Sequence, residues 1–473
     1  MKKRNIVSVF ILVFIILGLF AACPAPTQPD SIQLGSTQPG STSSYTVTFN
    51  ANGGNPVPNK QSIAPGGKVV MPTMTRTNYI FGGWYKETAC INQWNFAIDR
   101  VRENTILYAQ WYSPITVPGN TLAAKLQWLS TNATSNKGYL IEVTSSEELA
   151  SQNLSYNYNI TVQLKGISTS STSSLSLLGT GSLFRIGDGV TLILEGNLTL
   201  SGKNNNSPLI QVSFPNTLIM NQGVKITNNN SDGVNVGGTF AMNGGEISGN
   251  YKGVNVDYGT FTMNGGEISG NYKGVYVDYG TFTMNNGKIS GNSSGDDGGG
   301  VCVTRNGTFT MNNGEISGNS SRGLGVGGIS GMGGGVYVNG TFTMNNGKIS
   351  GNTSSGPDGM GGGVYVTGTF TMNDGVISGN TSSGMGGGVY VTGTFTKSGG
   401  TITGYASDMT NGNVVKNNGV VQTSNGHAVY GYGYDGYGYS QGKRKETTAR
   451  PTDNLSMSHV GQWSYIFAGA WDY

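Results

Sequence analysis

Seven phenylalanines fix what this chain can become. Phe240, Phe261, Phe282, Phe309, Phe342, Phe370 and Phe395 are each followed, seven residues on, by Ile247, Ile268, Ile289, Ile316, Ile349, Ile377 and Ile402. That spacing never varies. In the first six copies an Asn stands three residues after the Ile, from Asn250 to Asn380. The step from this Asn to the next Val does vary, through 4, 4, 9, 17, 12 and 9 residues. A fixed frame with one elastic corner is the mark of a solenoid.

The shortest copies span 21 residues and hold three short runs, V-x-V, F-T-M and E/K-I-S. Side chains alternate along a strand. Val254, Val256, Phe261, Met263 and Ile268 are therefore expected inside, with Thr260 and Thr262 outside. Stacked coils would place Phe on Phe and Ile on Ile about 4.8 Å apart. Asn264, Asn285 and Asn312 would stack at one corner, and Asn250, Asn271 and Asn292 at another, as amide ladders. Five buried side chains give one coil roughly 8–15 kcal/mol, whereas ordering its backbone costs roughly 20–40 kcal/mol. No coil can stand alone, so the repetition is a condition of folding. The column before the Ile reads Glu246, Glu267, Lys288, Glu315, Lys348; its signs alternate from Glu267 on, which would allow exposed pairs between coils.

Composition narrows the class. Gly supplies 78 of 473 residues and charged residues only 11%, against about 25% in ordinary chains. Helix breakers are too frequent for a bundle, and Gly lacks the three-residue period of collagen. Net charge is +3. Lys2, Lys3 and Arg4 carry all of it, so no electrostatic footprint for nucleic acid remains.

Upstream the period continues in "GVTLILEGNLTL" and "NTLIMNQGVKITNNN", with Leu218 and Met220 at the later Phe and Met places. Coils are expected from about Tyr139 to 450. "GNTLAAKLQWLSTNA" (119–133) predicts a helix, with Leu122, Leu126 and Leu129 on one face. Within 113–138 it would cap the open N-terminal edge of the stack. Residues 451–473 read as a C-terminal cap strand and tail.

The N-terminus reads as an address. Lys2-Lys3-Arg4, the apolar run Ile6–Phe20 and Ala21-Ala22-Cys23 form a signal peptide over 1–22. The Cys after two Ala resembles a bacterial lipobox, with Phe20 where the usual pattern has Leu. The resemblance implies acylation of Cys23 and a membrane partner through that lipid. Residues 24–44, rich in Pro, Ser, Thr, Gln and Gly, read with Cys23 as a tether.

Residues 45–112 form a separate module of short β runs around Trp84, Trp94, Phe96 and Trp111. Phe49-Asn50…Gly53-Gly54, Gly66-Gly67, Pro72, Gly82-Gly83-Trp84-Tyr85 and Tyr108-Ala109-Gln110-Trp111 resemble the Listeria–Bacteroides repeat, also called the internalin B-repeat. The resemblance implies a small β-grasp-like domain on a bacterial surface protein, often a spacer. Ile377-Ser378-Gly379-Asn380 with Gly387-Gly388-Val389-Tyr390 is distantly similar to the paired motifs of polymorphic outer-membrane proteins. That resemblance implies a pectin-lyase-like fold and adhesion. The expected class is thus all-β, a right-handed parallel β-helix preceded by the β-grasp-like domain.

Chemistry was sought in clusters. His427 and His459 are the only His. Asp257 and Asp278 recur after V-x-V with no Arg or His recurring beside them, and Asp296-Asp297 in "SSGDDGGGV" is the only adjacent acidic pair. These read as solvated loop residues, with no catalytic, metal or cofactor site assigned. Cys90 and Cys302 read as unpaired, Cys302 outward on its strand. Binding candidates lie elsewhere. Gly-rich inserts around 293–299, 320–334, 353–362 and 381–387 carry Met332, Met360 and Met385, expected exposed on flexible loops. Tyr276, Tyr337, Tyr365 and Tyr390 form an outward column that could stack on sugars or side chains. "YGYGYDGYGYSQGKRK" (430–445) reads as a loop. The expected function is a non-catalytic lipoprotein of the bacterial outer membrane or cell surface, an adhesin for a host protein, matrix or glycan. The alternatives are a purely structural stalk and a polysaccharide lyase or hydrolase.

Overall fold

A computed structural model describes residues 44–156, 158–167, 172–323, 331–434, 440–460, 464–469 and 471. The leader, Cys23 and nearly all of the tether lie outside the described residues.

The chain from Ser43 onward forms one compact unit. It opens with a four-stranded sheet made of Tyr45–Asn50, Gln61–Ile63, Ile80–Tyr85 and Thr105–Tyr112. The order is second, first, fourth, third, and the first and fourth strands run parallel. Phe49 and Phe81 meet the Trp84 ring edge-on at 5.0 and 6.1 Å. Gly82 is required there, since a Cβ would lie 2.5 Å from the Tyr112 ring.

All that follows, the helix apart, is a parallel β-helix. Its three long walls hold 14, 12 and 11 strands, named here the Phe, Val and Ile sheets after their inward residues. Coil-to-coil pairing is parallel and in register, as in Phe261↔Phe282 and Ile268↔Ile289. The periodic parallel sheets and stacked Asn columns are consistent with a right-handed solenoid. The seven Phe rings stack through the axis with centroids 4.6–5.3 Å apart. Every Phe and Ile of the two columns is fully buried.

Both Asn columns form, with opposite polarity. From Asn250 to Asn413 each buried Nδ2 donates to Oδ1 of the next coil at 2.7–3.0 Å. The same Oδ1 accepts the backbone N–H of the previous Asn at 2.9–3.1 Å. The second column, Asn221 to Asn373, donates towards the previous coil at 2.8–3.0 Å. The charged column behaves otherwise than expected. Its ion pair is Lys225–Glu246 at 2.9 Å, and Glu267 accepts from the Ser290 hydroxyl. Among the described residues no ion pair joins Glu267, Lys288, Glu315 and Lys348.

The inserts are not simply loops. Ser293-Ser294, Ser320–Arg322, Thr353–Ser355, Thr381–Ser382 and Val414–Asn417 stack in parallel as a fourth wall, closed by Val420-Val421. Ser294, Ser321, Ser354 and Ser382 point inward and are buried. The Tyr/Gly segment is likewise not a loop. Val429–Tyr434 joins the Val sheet in parallel and pairs antiparallel with Ser440–Lys445; residues 435–439 lie outside the described residues. The C-terminal end carries two antiparallel strands, Leu455–Val460 and Ser464–Ala468.

The helix spans Leu122–Asn132, and the Thr121 side chain accepts from Ala124 N at its start. Leu122, Leu126 and Leu129 join the first residues of the solenoid core. The Glu147 carboxylate accepts Leu122 N at 2.9–3.0 Å, tying the helix to the stack.

The small module does not stand off as a spacer. Its core, including Phe81, Trp84 and Met71, is continuous with Ile193, Ile219 and Ala241 on the outer face of the Phe sheet. Thr73 donates to Asn243 Oδ1 at 2.7 Å, and Lys68 Nζ reaches the Thr260 and Thr281 hydroxyls at 3.3 and 3.4 Å. Thr260 and Thr262 therefore sit on the outer side of the wall yet are buried.

Candidate functional site

The outer face of the Val sheet gathers the unusual side chains. Register places Asn255, Tyr276, Cys302, Tyr337, Tyr365, Tyr390 and Tyr430 in one outward column. Tyr337, Tyr365, Tyr390 and Tyr430 stack with centroids 5.2–5.8 Å apart and planes within 11°. This overturns the expected use of the column as a flat platform. Each inner ring spends both faces on its neighbours, and Tyr365 and Tyr390 are only 7% and 5% exposed. Tyr430 went unread because its "VYG" lay in a low-complexity stretch, yet it repeats "VYV".

A second column lies beside the first. Asp297, Met332, Met360, Met385 and Asn425 each precede a glycine at positive φ, namely Gly298, Gly333, Gly361, Gly386 and Gly426. Those glycines donate to the carbonyls of Met332, Met360, Met385 and Asn425 in the next coil at 2.9–3.0 Å. Met332, Met360 and Met385 bridge in register and are half-buried. They are thus not exposed on flexible loops. A Cβ on Gly386 or Gly426 would lie 2.7 Å from the Cβ of Tyr390 or Tyr430, so the glycine turn covers the tyrosine.

Tyr276 stands apart from the stack, because Cys302 interrupts it. Lys252 Nζ lies 4.5 Å from the Tyr276 ring centre, and Lys273 Nζ 5.8 Å. Lys273 is buried, pairs with Asp296 at 2.6 Å and donates to the Asp297 carbonyl at 2.9 Å. Asp296-Asp297 is therefore a clasp over a buried lysine rather than a solvated loop. Burial raises the Asp297 carboxyl to about 6 against the pull of Lys273. Cys302 is outward on its strand but buried, and burial pushes its thiol up to about 12. The other carboxylates here are engaged. Asp232 accepts from Asn255 at 2.9 Å and lies 3.8 Å from Lys252, and Asp278 accepts from Thr304 at 2.7 Å. His427 is buried, and its Nδ1 accepts the Val415 N–H at 3.1 Å. Among the described residues no three His, Cys, Asp or Glu gather as a metal-binding group.

The sequence reading missed the most exposed aromatics. Tyr258 and Tyr279 stack at 4.9 Å while 67% and 51% exposed. Both hold left-handed backbone, at φ 61° and 54°. Tyr251 and Tyr272 stack at 4.8 Å across another corner of the same coils. The signal was "VDYG", repeated at a turn where other coils place Gly or small polar residues.

Comparison with known proteins reaches only the first module. Residues 45–110 match the Listeria-Bacteroides repeat domain, a match consistent with bacterial envelope-associated repeat proteins. A Gly-rich membrane protein of Evansella cellulosilytica is 34% identical over 68 residues, covering 14% of this chain and 8% of that protein. The chain thus spans under a tenth of that relative's length. No solved structure matches.

Proposed function

We propose that the protein is a non-catalytic adhesin of the bacterial cell envelope. In this reading it is a lipoprotein held by acylated Cys23 at the outer membrane or cell surface. A β-grasp-like module and a right-handed β-helix present the Val-sheet face and its corners to a host protein, matrix or glycan. The observation that carries the reading is the Tyr258–Tyr279 pair. A non-glycine residue in left-handed backbone costs roughly 1–2 kcal/mol, and this chain places Gly at most of its other left-handed positions. Two rings kept there and turned to water serve something outside the fold.

The test separates binding from folding. Tyr258→Gly with Tyr279→Gly removes the rings and relieves the backbone. We expect equal or higher stability, by up to about 1 kcal/mol per site once the freer unfolded chain is counted. Binding to a glycan and matrix-protein array should fall with the fold intact. Array binding that survives in the double variant sinks the reading, as does stability lost with it. For the anchor, acyl label on Cys23 should vanish in Cys23→Ala.

A second reading, the structural stalk, draws on the amide ladders, which hold each coil to the next without any partner. Array silence of the parent chain would favour it.

A further inference from the structure

The seam between the small module and the solenoid encloses a cavity of about 190 Å³. None of its lining residues belongs to the tyrosine or methionine columns. The module contributes Trp84, Trp94, Phe96 and Gln93, and the solenoid contributes Asn159 and Thr217 among others. Gln93 and Asn159 approach each other across the seam, Nδ2 to Oε1, at 3.4 Å. Both indoles are buried, and neither Trp84 Nε1 nor Trp94 Nε1 has an acceptor. Buried polar groups without a partner are rare and ask for an explanation.

The lining dictates the chemistry of an occupant. No Asp, Glu, Lys, Arg or His lines the cavity. A charged ligand would lose its hydration there with nothing to pair it. Aromatic rings wall one side, which suits an apolar ring face. Amides and threonine hydroxyls converge from the other, which suits hydroxyl groups. A cavity of about 150 Å³ already admits a benzene-sized ring, so this one has room for a single six-membered ring. Mostly apolar walls with a few convergent polar groups, at a seam between two folding units, form a ligand site rather than a packing fault.

We propose that this cavity binds a neutral monosaccharide-sized polyol, and that the bound ring bridges the module and the β-helix. The occupant touches both units, so it strengthens their docking. It binds the folded chain alone and raises the unfolding temperature with its concentration.

The experiment titrates D-glucose, N-acetyl-D-glucosamine and D-glucuronate into the full chain, reading tryptophan emission and thermal unfolding. At least one neutral sugar should give a saturable emission change and a rising unfolding temperature, and glucuronate neither. Thr217→Phe would fill the cavity from a solenoid strand. Gln93→Leu would remove one amide at nearly constant volume. Each should weaken the affinity about tenfold or more while the unfolding temperature without sugar stays put. Should Thr217→Phe fail to fold, Gln93→Leu decides alone. The proposal is overturned if neither neutral sugar gives a saturable response, if glucuronate binds as well, or if the response persists in the folded variants.

Discussion

At the residue scale the two Asn columns show how one amino acid serves two energies. Asn292 sits in the buried ladder. Its Oδ1 accepts both Asn271 N and Asn271 Nδ2 at 3.0 Å, and its Nδ2 reaches Ile268 O at 3.0 Å and Asn319 Oδ1 at 2.9 Å. Asn292→Ala would strand two donors and two acceptors without water, at about 1–3 kcal/mol for each group left unmet. Some of that relaxes, and a loss of about 4 kcal/mol is expected in urea unfolding. Asn312 lies in the exposed ladder, bonded to Asn285 at 2.9 Å. Water replaces its partners, so Asn312→Ala should cost under about 1 kcal/mol. Equal costs would show that burial does not govern the ladders. Both columns were legible in the sequence, since an Asn at a fixed offset in every coil must stack. Ile193, Ile219 and Ala241 were not read. They occupy outward places that become Thr in later coils, and an apolar residue facing out declares a cover without saying which segment supplies it.

At the scale of elements, the coil is the unit that can be added or removed. Each inward column advances by one residue per coil whatever the insert length. Excising 336–363 would join Gly335 to Val364 and set Phe309 beneath Phe370, Ile316 beneath Ile377 and Asn319 beneath Asn380. The same pairs form between existing neighbours, as in Phe342↔Phe370. The excised chain should fold with its β circular dichroism and a single transition within a few degrees of the parent. Removing 336–349 alone would set a Phe strand out of phase and should not fold. If both deletions fold alike, register is not what holds the stack. Trimming 320–334 and 353–362 to the step of the early coils is no longer neutral. It would delete Ser320–Arg322 and Thr353–Ser355 from the fourth wall. That wall was illegible because its inward residue is Ser, which carries no hydrophobic period. The Tyr column was legible as a column. Its burial was not, because the covering glycines leave no apolar trace of their own.

At the scale of the whole molecule, the seam between module and solenoid decides whether the chain melts as one body. It is largely apolar, and Lys68 is the charge forced into it. Burial lowers the Lys68 ammonium from 10.5 to about 8, with the Arg100 guanidinium pushing the same way. Folding therefore disfavours the charged amine. Below pH 8 that penalty is fully present. Between pH 8 and 10.5 the unfolded chain still binds the proton while the folded chain releases it, so stability rises with pH. The window to measure ends near pH 9.5, before unfolded tyrosines ionise. In calorimetry the transition that includes the module should climb between pH 8 and 9.5. Lys68→Met should flatten that slope and raise the transition below pH 8, since the two threonine hydroxyls it leaves can still turn to water at the edge. Ile219→Asp puts a carboxylate into the shared core instead, and should split an early module transition from a later solenoid one. A Lys68→Met chain with the parent's pH slope would show that the lysine lies in solvent, and a single unshifted transition in Ile219→Asp would show that the module is not docked on the Phe sheet.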